Sequence, residues 1–82
     1  MEIADAPLAR VYPNPTNNEI TLEFERTGEY LVAITDMTGK VLMRQTVKGQ
    51  RVQMDIGNYP VGVYLLTIDD GERQSTMRVV KN

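Results

Sequence analysis

Residues 19–34 read EITLEFERTGEYLVAI, and the first six alternate polar and apolar without a break. Ile20, Leu22 and Phe24 fall on one face of an extended chain; Glu19, Thr21, Glu23 and Glu25 fall on the other. Alternation of period two marks a strand with one buried face. Thr27-Gly28 then supplies a residue that takes positive φ cheaply, and Tyr30–Ile34 resumes as a continuous apolar run. Such a run is expected near a sheet centre, or in a strand covered on both sides. Two strands separated by a turn are predicted here.

Working outward, the same pattern repeats. Val52, Met54 and Ile56 alternate with Arg51, Gln53 and Asp55. Val41–Met43 and Val63–Ile68 are more continuously apolar, and near the end Met77 and Val79 oppose Thr76, Arg78 and Val80. Thr38-Gly39, Lys48-Gly49 and Asp70-Gly71 punctuate these runs with turn chemistry. Seven strands are predicted, near residues 8–12, 18–25, 29–36, 40–48, 51–56, 62–69 and 73–81. Short strands at spacings of roughly ten residues point to an all-β sandwich or barrel. The expected architecture is a seven-stranded antiparallel β-sandwich of immunoglobulin-like shape. Ile56–Tyr59 is the one stretch suited to a short turn of helix.

Upstream, residues 11–18 read VYPNPTNN. Pro13 and Pro15 lack the N–H that a paired ladder needs, and each biases its predecessor, Tyr12 or Asn14, toward extended geometry. A stiff, extended corner is expected before the cleanest strand, holding the first strands apart from whatever precedes them.

Eighty-two residues make one small domain, for which a stability of about 4–12 kcal/mol is typical. The 11 acidic and 9 basic residues give a net charge of −2, which offers no footprint for nucleic acid. No apolar run is long enough for a membrane-spanning helix, so no direct membrane insertion is expected. The first residues carry no signal-peptide pattern. Residues 1–7 look like linker, and Met1 like an added start, so the chain is expected to be a piece of a larger parent, with residues 8–82 forming the domain.

Histidine and cysteine are both absent, which removes the common nucleophilic triads, thiolate metal sites and the usual proton shuttle. Asp69-Asp70-Gly71-Glu72 is the densest acidic cluster, readable as a weak calcium loop, as a carboxylate pair or as a solvated hairpin turn. It lacks the repeated Asp-x-Asp frame of a calcium loop, and the turn is the better reading. Gly57, Gly62 and Gly71 do not form a phosphate-binding spacing. Met54 and Met77 are in phase with core positions, and the four tyrosines lie on different runs, which suits buried rings with hydroxyls at the rim. No catalytic residue, metal or cofactor is expected.

Taken together, the punctuating residues resemble the C-terminal sorting domains of the type IX secretion system. Tyr12-Pro13-Asn14-Pro15-Thr16-Asn17 resembles the opening of that family, and Asp36-Met37-Thr38-Gly39-Lys40-Val41 its central hairpin. Tyr59-Pro60-Val61-Gly62-Val63-Tyr64-Leu65-Leu66 is similar to its L-P-x-G-x-Y-x-L strand, and Met77–Lys81 to its closing tail. The four segments follow in family order and cover residues 11–82. Asn18 stands where the family usually has glycine, Tyr59 where it has leucine, and Asn82 lies one residue past the usual final lysine.

The resemblance implies a non-catalytic address label at the end of a larger secreted protein of a Gram-negative bacterium. It implies passage through the periplasm, recognition by an outer-membrane translocon and arrival at the cell surface or in the medium. It also implies removal by a surface sortase, cutting at or before residues 1–8, with attachment of the cargo to lipopolysaccharide. Pro13, Asn14, Pro15, Asp36, Gly39, Lys40, Pro60, Gly62, Tyr64, Val79, Val80 and Lys81 are the recognition and structural residues so implied, the prolines and glycines acting through shape and the tail through contact. An immunoglobulin-like or fibronectin-like binding or spacer module of an adhesin or secreted enzyme is the alternative. A dimer formed through an open sheet edge is compatible with either.

Overall fold

The computed structural model describes residues 8–82, and the expected linker at residues 1–7 lies outside the described residues. Five strands follow one another: β1 (Ala9–Tyr12), β2 (Glu19–Asp36), β3 (Val41–Asp55), β4 (Gly62–Asp69) and β5 (Gln74–Lys81). All pairings are antiparallel, in the order β1-β2-β4-β5, with β3 along the other side of β2. The all-β antiparallel expectation holds. Among the described residues the strand count is five rather than seven, and all five belong to one hydrogen-bonded sheet rather than to two.

The difference lies at two glycines. Thr27-Gly28 and Lys48-Gly49 were expected to reverse the chain; instead Gly28 pairs with Gly49 inside a continuous β2–β3 ladder. Between Glu23↔Arg51 and Gly28↔Gly49 the register shifts, so β2 carries extra residues that bend both strands. Gly49 takes the bend with a φ of 118°, whereas Gly28 is not among the glycines of positive φ. Tyr30 fixes the bulge by donating its hydroxyl to the Arg26 carbonyl at 2.7 Å. Its ring stacks on Phe24 from the other side of the bend, with centroids 4.0 Å apart and planes 7° from parallel.

The bend divides the sheet into two functional halves. In the first, residues 21–24 of β2 lie between β1 and the end of β3; in the second, residues 31–36 lie between the start of β3 and the β4–β5 pair. The inward faces share one core of Ile20, Leu22, Phe24, Tyr30, Val32, Ile34, Val47, Met54, Ile56, Tyr64, Leu66, Ile68 and Val79, with Leu8 and Ala9. The facing predicted for Ile20–Phe24, Val52–Ile56 and Met77–Val79 is thus recovered. Leu8 N donates to Ser75 Oγ at 3.0 Å, tying the start of β1 to β5.

Of the two alternatives for the continuous apolar runs, a place near the sheet centre holds for Tyr30–Ile34 on β2 and Val63–Ile68 on β4, and neither alternative holds for Val41–Met43. Tyr30–Ile34 occupies the central strand, yet it is covered on one face only, and Leu31 is 41% exposed. Val41–Met43 lies on β3, an edge strand with β2 as its neighbour among the described residues, and Val41 is 46% exposed. The stretch from Ile56 to Tyr59 is a single turn, closed by Tyr59 N donating to the Ile56 carbonyl at 3.0 Å.

Candidate functional site

The residues of the four motifs meet at one end of the sheet. Asp36, last in β2, pairs with Tyr64 of β4, and Gly62, first in β4, pairs with Lys81 of β5. Lys81 in turn forms a parallel bridge with Thr16 of the proline corner. Segments separated by up to about 65 positions along the chain therefore touch in a continuous band, and the sheet register alone makes them neighbours.

The corner is bent, with Tyr12–Pro13 and Asn14–Pro15 in cis, rather than extended as expected. It lies along the outer edge of β5. Asn14 Nδ2 donates to the Arg78 carbonyl at 2.8 Å, and Val80 N donates to Asn14 Oδ1 at 3.0 Å. One amide side chain thus engages an outward carbonyl and an outward N–H of β5, as a residue of a neighbouring strand would. Thr16 continues the pairing with its backbone: its N–H donates to the Val80 carbonyl at 2.9 Å, and its carbonyl accepts from Asn82 N at 2.8 Å. The Thr16 hydroxyl donates back to the Glu19 carbonyl at 2.5 Å, and the residue is 2% exposed. Pro13 and Pro15, with no N–H to offer, flank the residue whose side chain does the pairing. Thr16 is thus a structural residue of the corner, although it is not among the recognition and structural residues that the resemblance implies. Its signal was a small β-branched hydroxyl residue placed between a proline and a strand.

The terminal strand is held from the inside as well. Val79 is buried at 2% exposure and Lys81 at 7%, with Lys81 Nζ donating to the Asn82 carbonyl at 3.2 Å. Of the three tail residues, Val80 is the one whose side chain faces away from the core. Lys81 is thus placed as a packed, terminus-facing residue rather than an ammonium held out in solvent.

The turn between β2 and β3 is built around the Asp36 carboxylate. Its Oδ1 accepts from Thr38 N at 2.9 Å, Thr38 Oγ1 at 2.6 Å and Lys40 N at 3.0 Å. Donation by the Thr38 hydroxyl, helped by the two backbone N–H groups, holds this carboxyl below its ordinary value of 3.8. Asp36 N donates to the Lys40 carbonyl at 3.0 Å, and Gly39, with φ of 94°, closes the turn by donating to the Asp36 carbonyl at 3.1 Å. The D-x-x-G-K spacing is the spacing of this turn. Lys40 contributes its backbone to the turn.

Across the sheet, the Tyr64 hydroxyl donates to the Pro60 carbonyl and fixes the loop that enters β4. Tyr59 packs on Tyr64 with ring centroids 5.4 Å apart, and burial, then the neighbouring Tyr64, pushes the Tyr59 hydroxyl above its ordinary pKa. At the opposite end, Asp69-Asp70-Gly71-Glu72 is a hairpin turn. Asp70 Oδ1 accepts from Glu72 N at 2.8 Å and Arg73 N at 2.7 Å, and Asp69 Oδ1 accepts from Gly71 N at 2.7 Å. The carboxylates shape the bend, as the plain reading of this cluster had it.

This arrangement is a built shape of turns, edge pairing and loop anchors. The family model of the secretion system C-terminal sorting domain matches residues 10–82. The chain belongs to this sorting-domain family. A sorting domain of the type IX system addresses its protein for export, to the cell surface or the medium, and is itself not catalytic. It works through interaction with the secretion machinery. The chain is also similar to the endo-acting ulvan lyase of Formosa agariphila, at 29% identity over 62 residues, covering 74% of this chain and 12% of that enzyme. The sorting domain thus spans about an eighth of the length of that curated relative.

Proposed function

We propose that residues 8–82 form the C-terminal sorting domain of a larger secreted protein, joined to it through residues 1–7. In this reading the parent crosses the periplasm and the folded domain is bound by an outer-membrane translocon. A surface sortase then cuts in the segment before Leu8 and joins the cargo to lipopolysaccharide. The observation that carries the reading is the convergence of the four motifs on one end of a self-contained domain, where the corner pins the terminal strand. Their residues build turns, edge pairing and loop anchors, so they specify an outline that a receptor can recognise. Pro13, Asn14, Pro15, Asp36, Gly39, Pro60, Gly62, Tyr64, Val79 and the buried Lys81 act by holding that outline, with Lys40 and Val80 at its rim. The ulvan lyase similarity is consistent with a polysaccharide-degrading parent.

A reporter carrying residues 1–82 at its C-terminus, expressed in a type IX-competent bacterium, tests this. The reporter is expected at the cell surface or in the medium, shortened by the domain and bearing a lipopolysaccharide-derived adduct by mass spectrometry. Export of the uncut fusion would refute the sortase step, and retention in the periplasm would refute the address.

A further inference from the structure

The domain has two outward sheet faces, and they differ in kind. On the half containing β1, the outward face is built around an ion-paired row, with Tyr12 38% exposed beside it. Arg10 of β1 and Arg51 of β3 sit in register on either side of Glu23, and both guanidiniums engage its carboxylate. Arg10 also lies over the Tyr12 ring, 5.8 Å from its centroid.

On the other half, side chains opposite to buried Val32, Ile34, Leu66, Ile68 and Val79 must point outward, because successive residues of a strand alternate faces. Reading across β3-β2-β4-β5, one row is Arg44, Ala33, Thr67 and Thr76, and the next is Val41, Thr35, Leu65 and Arg78. Val63 and Val80 form the row beyond, toward the motif end. None of these apolar side chains belongs to the core or packs against it. Exposure of Met37 at 63%, Val41 at 46% and Leu31 at 41% places three of the five exposed large apolar residues on this face or at its margin. Arg44 and Arg78 border the patch, and among the described residues neither is in an ion pair.

From this contrast we infer that the outward face centred on Val63, Leu65 and Val80 is the surface by which the sorting domain docks on the export machinery. Its partner is a protein surface with an apolar centre flanked by carboxylates. An apolar surface left outside the core is a usual mark of an interaction site, and arginine is enriched in such sites; here Val63, Leu65 and Val80 are half-buried, with the more exposed Val41 and Met37 at the margin. Charge selects the partner: the chain carries −2 overall, yet on this face Glu29 is paired with Lys48 and Asp69 is engaged by Gly71 N, which leaves Arg44 and Arg78 in no ion pair among the described residues. A second copy would bring like arginines together with little to answer them, so the face fits an acidic-rimmed partner better than itself. The face is also the one stabilised by the motifs, since Val80 is held by Asn14 and Thr16 while β4 is anchored through Tyr64. This docking surface rests on the sorting reading above.

The test uses the C-terminal reporter fusion with Leu65→Glu, with Arg44→Glu plus Arg78→Glu, and with Thr21→Glu plus Gln53→Glu on the opposite outward face as control. Wild type and control are expected to reach the surface equally, while both patch variants fall by about tenfold or more and accumulate in the periplasm. The arginine pair is exposed, so its reversal leaves the fold intact, as circular dichroism will verify, even where Leu65→Glu does not fold. Equal export of wild type and the arginine variant overturns the docking face and leaves the sorting reading standing. Failure of wild type overturns both. Sedimentation of the purified chain as a dimer dispersed by the arginine reversal would make a second copy the occupant and refute the inference. Binding to anionic vesicles lost in the same variant would assign the face to lipid and refute it likewise.

Discussion

Asn14 is where the corner and the terminal strand are joined by a side chain, and replacing it with alanine measures that joint. The substitution removes one bond donated to the Arg78 carbonyl at 2.8 Å and one accepted from Val80 N at 3.0 Å. A hydrogen bond contributes a net ~0.5–1.5 kcal/mol, and the freed groups here stay open to water, which argues for the lower half of that range. Two bonds at that level sum to about 1–2 kcal/mol, a sizeable part of the ~4–12 kcal/mol typical of a domain this size. For a small domain, about 1 kcal/mol lowers the melting temperature by roughly 4–8 °C. Thermal unfolding followed by circular dichroism should show at least this drop for Asn14→Ala. Asn17→Ala, an exposed change three residues away, should stay within the ~0.5 kcal/mol usual for surface positions. Indistinguishable melting of the two variants would refute the claim that Asn14 clamps the edge of β5.

Other perturbations separate backbone, core and charge effects. Gly39→Ala, at a φ of 94°, should destabilise by about 1 kcal/mol or more, whereas Gly28→Ala, whose new Cβ would sit an ordinary 3.6 Å from the Tyr30 ring, should cost clearly less in the same denaturant titration. Leu66→Ala, at a wholly buried position, should cost about 2–5 kcal/mol and leave a large unfolded fraction at 37 °C by circular dichroism. Glu23, Asp36 and Asp70 are held below their ordinary values by Arg10, the Thr38 hydroxyl and the Arg73 N–H respectively, so in acid the unfolded chain binds more protons than the folded one. Their stabilisation is complete above the ordinary values of 4.5 for Glu23 and 3.8 for the aspartates, and is lost as pH falls through the lower folded-state values. Melting temperature should fall as pH is taken down through that range, and Asp36→Asn should blunt the fall.

The alternation at Ile20–Phe24 and Val52–Ile56, and the in-phase Met77 and Val79, placed the core correctly because facing follows from local geometry. Hairpin chemistry at Thr38-Gly39 and Asp70-Gly71 was legible for the same reason. Gly28 and Gly49 misled because a glycine suits a tight turn and a bent, paired strand equally, and only the partner opposite decides between them. Here each glycine is the other's partner, a fact of register that no local pattern encodes. The candidate site shows the same limit: each motif could be found in the sequence, while their meeting depends on the pairs Asp36↔Tyr64, Gly62↔Lys81 and Thr16↔Lys81. Burial of Lys81 and the structural part played by Thr16 follow from that meeting, so neither was legible beforehand. The open apolar face was likewise concealed, because a continuous apolar run reads equally as a strand near the sheet centre or as one covered on both sides.

Amide hydrogen exchange at Thr16, Val80 and Asn82 in the intact chain tests the pinned terminal strand most directly. Each of these N–H groups sits at a sheet edge or chain end, where exchange is ordinarily fast, yet each is donated across the corner. All three are predicted to be protected to a degree comparable with the interior amides of β4, and Val80 to lose most of its protection in Asn14→Ala. Exchange of these amides at the rate of an unstructured peptide would contradict a tail locked by the proline corner.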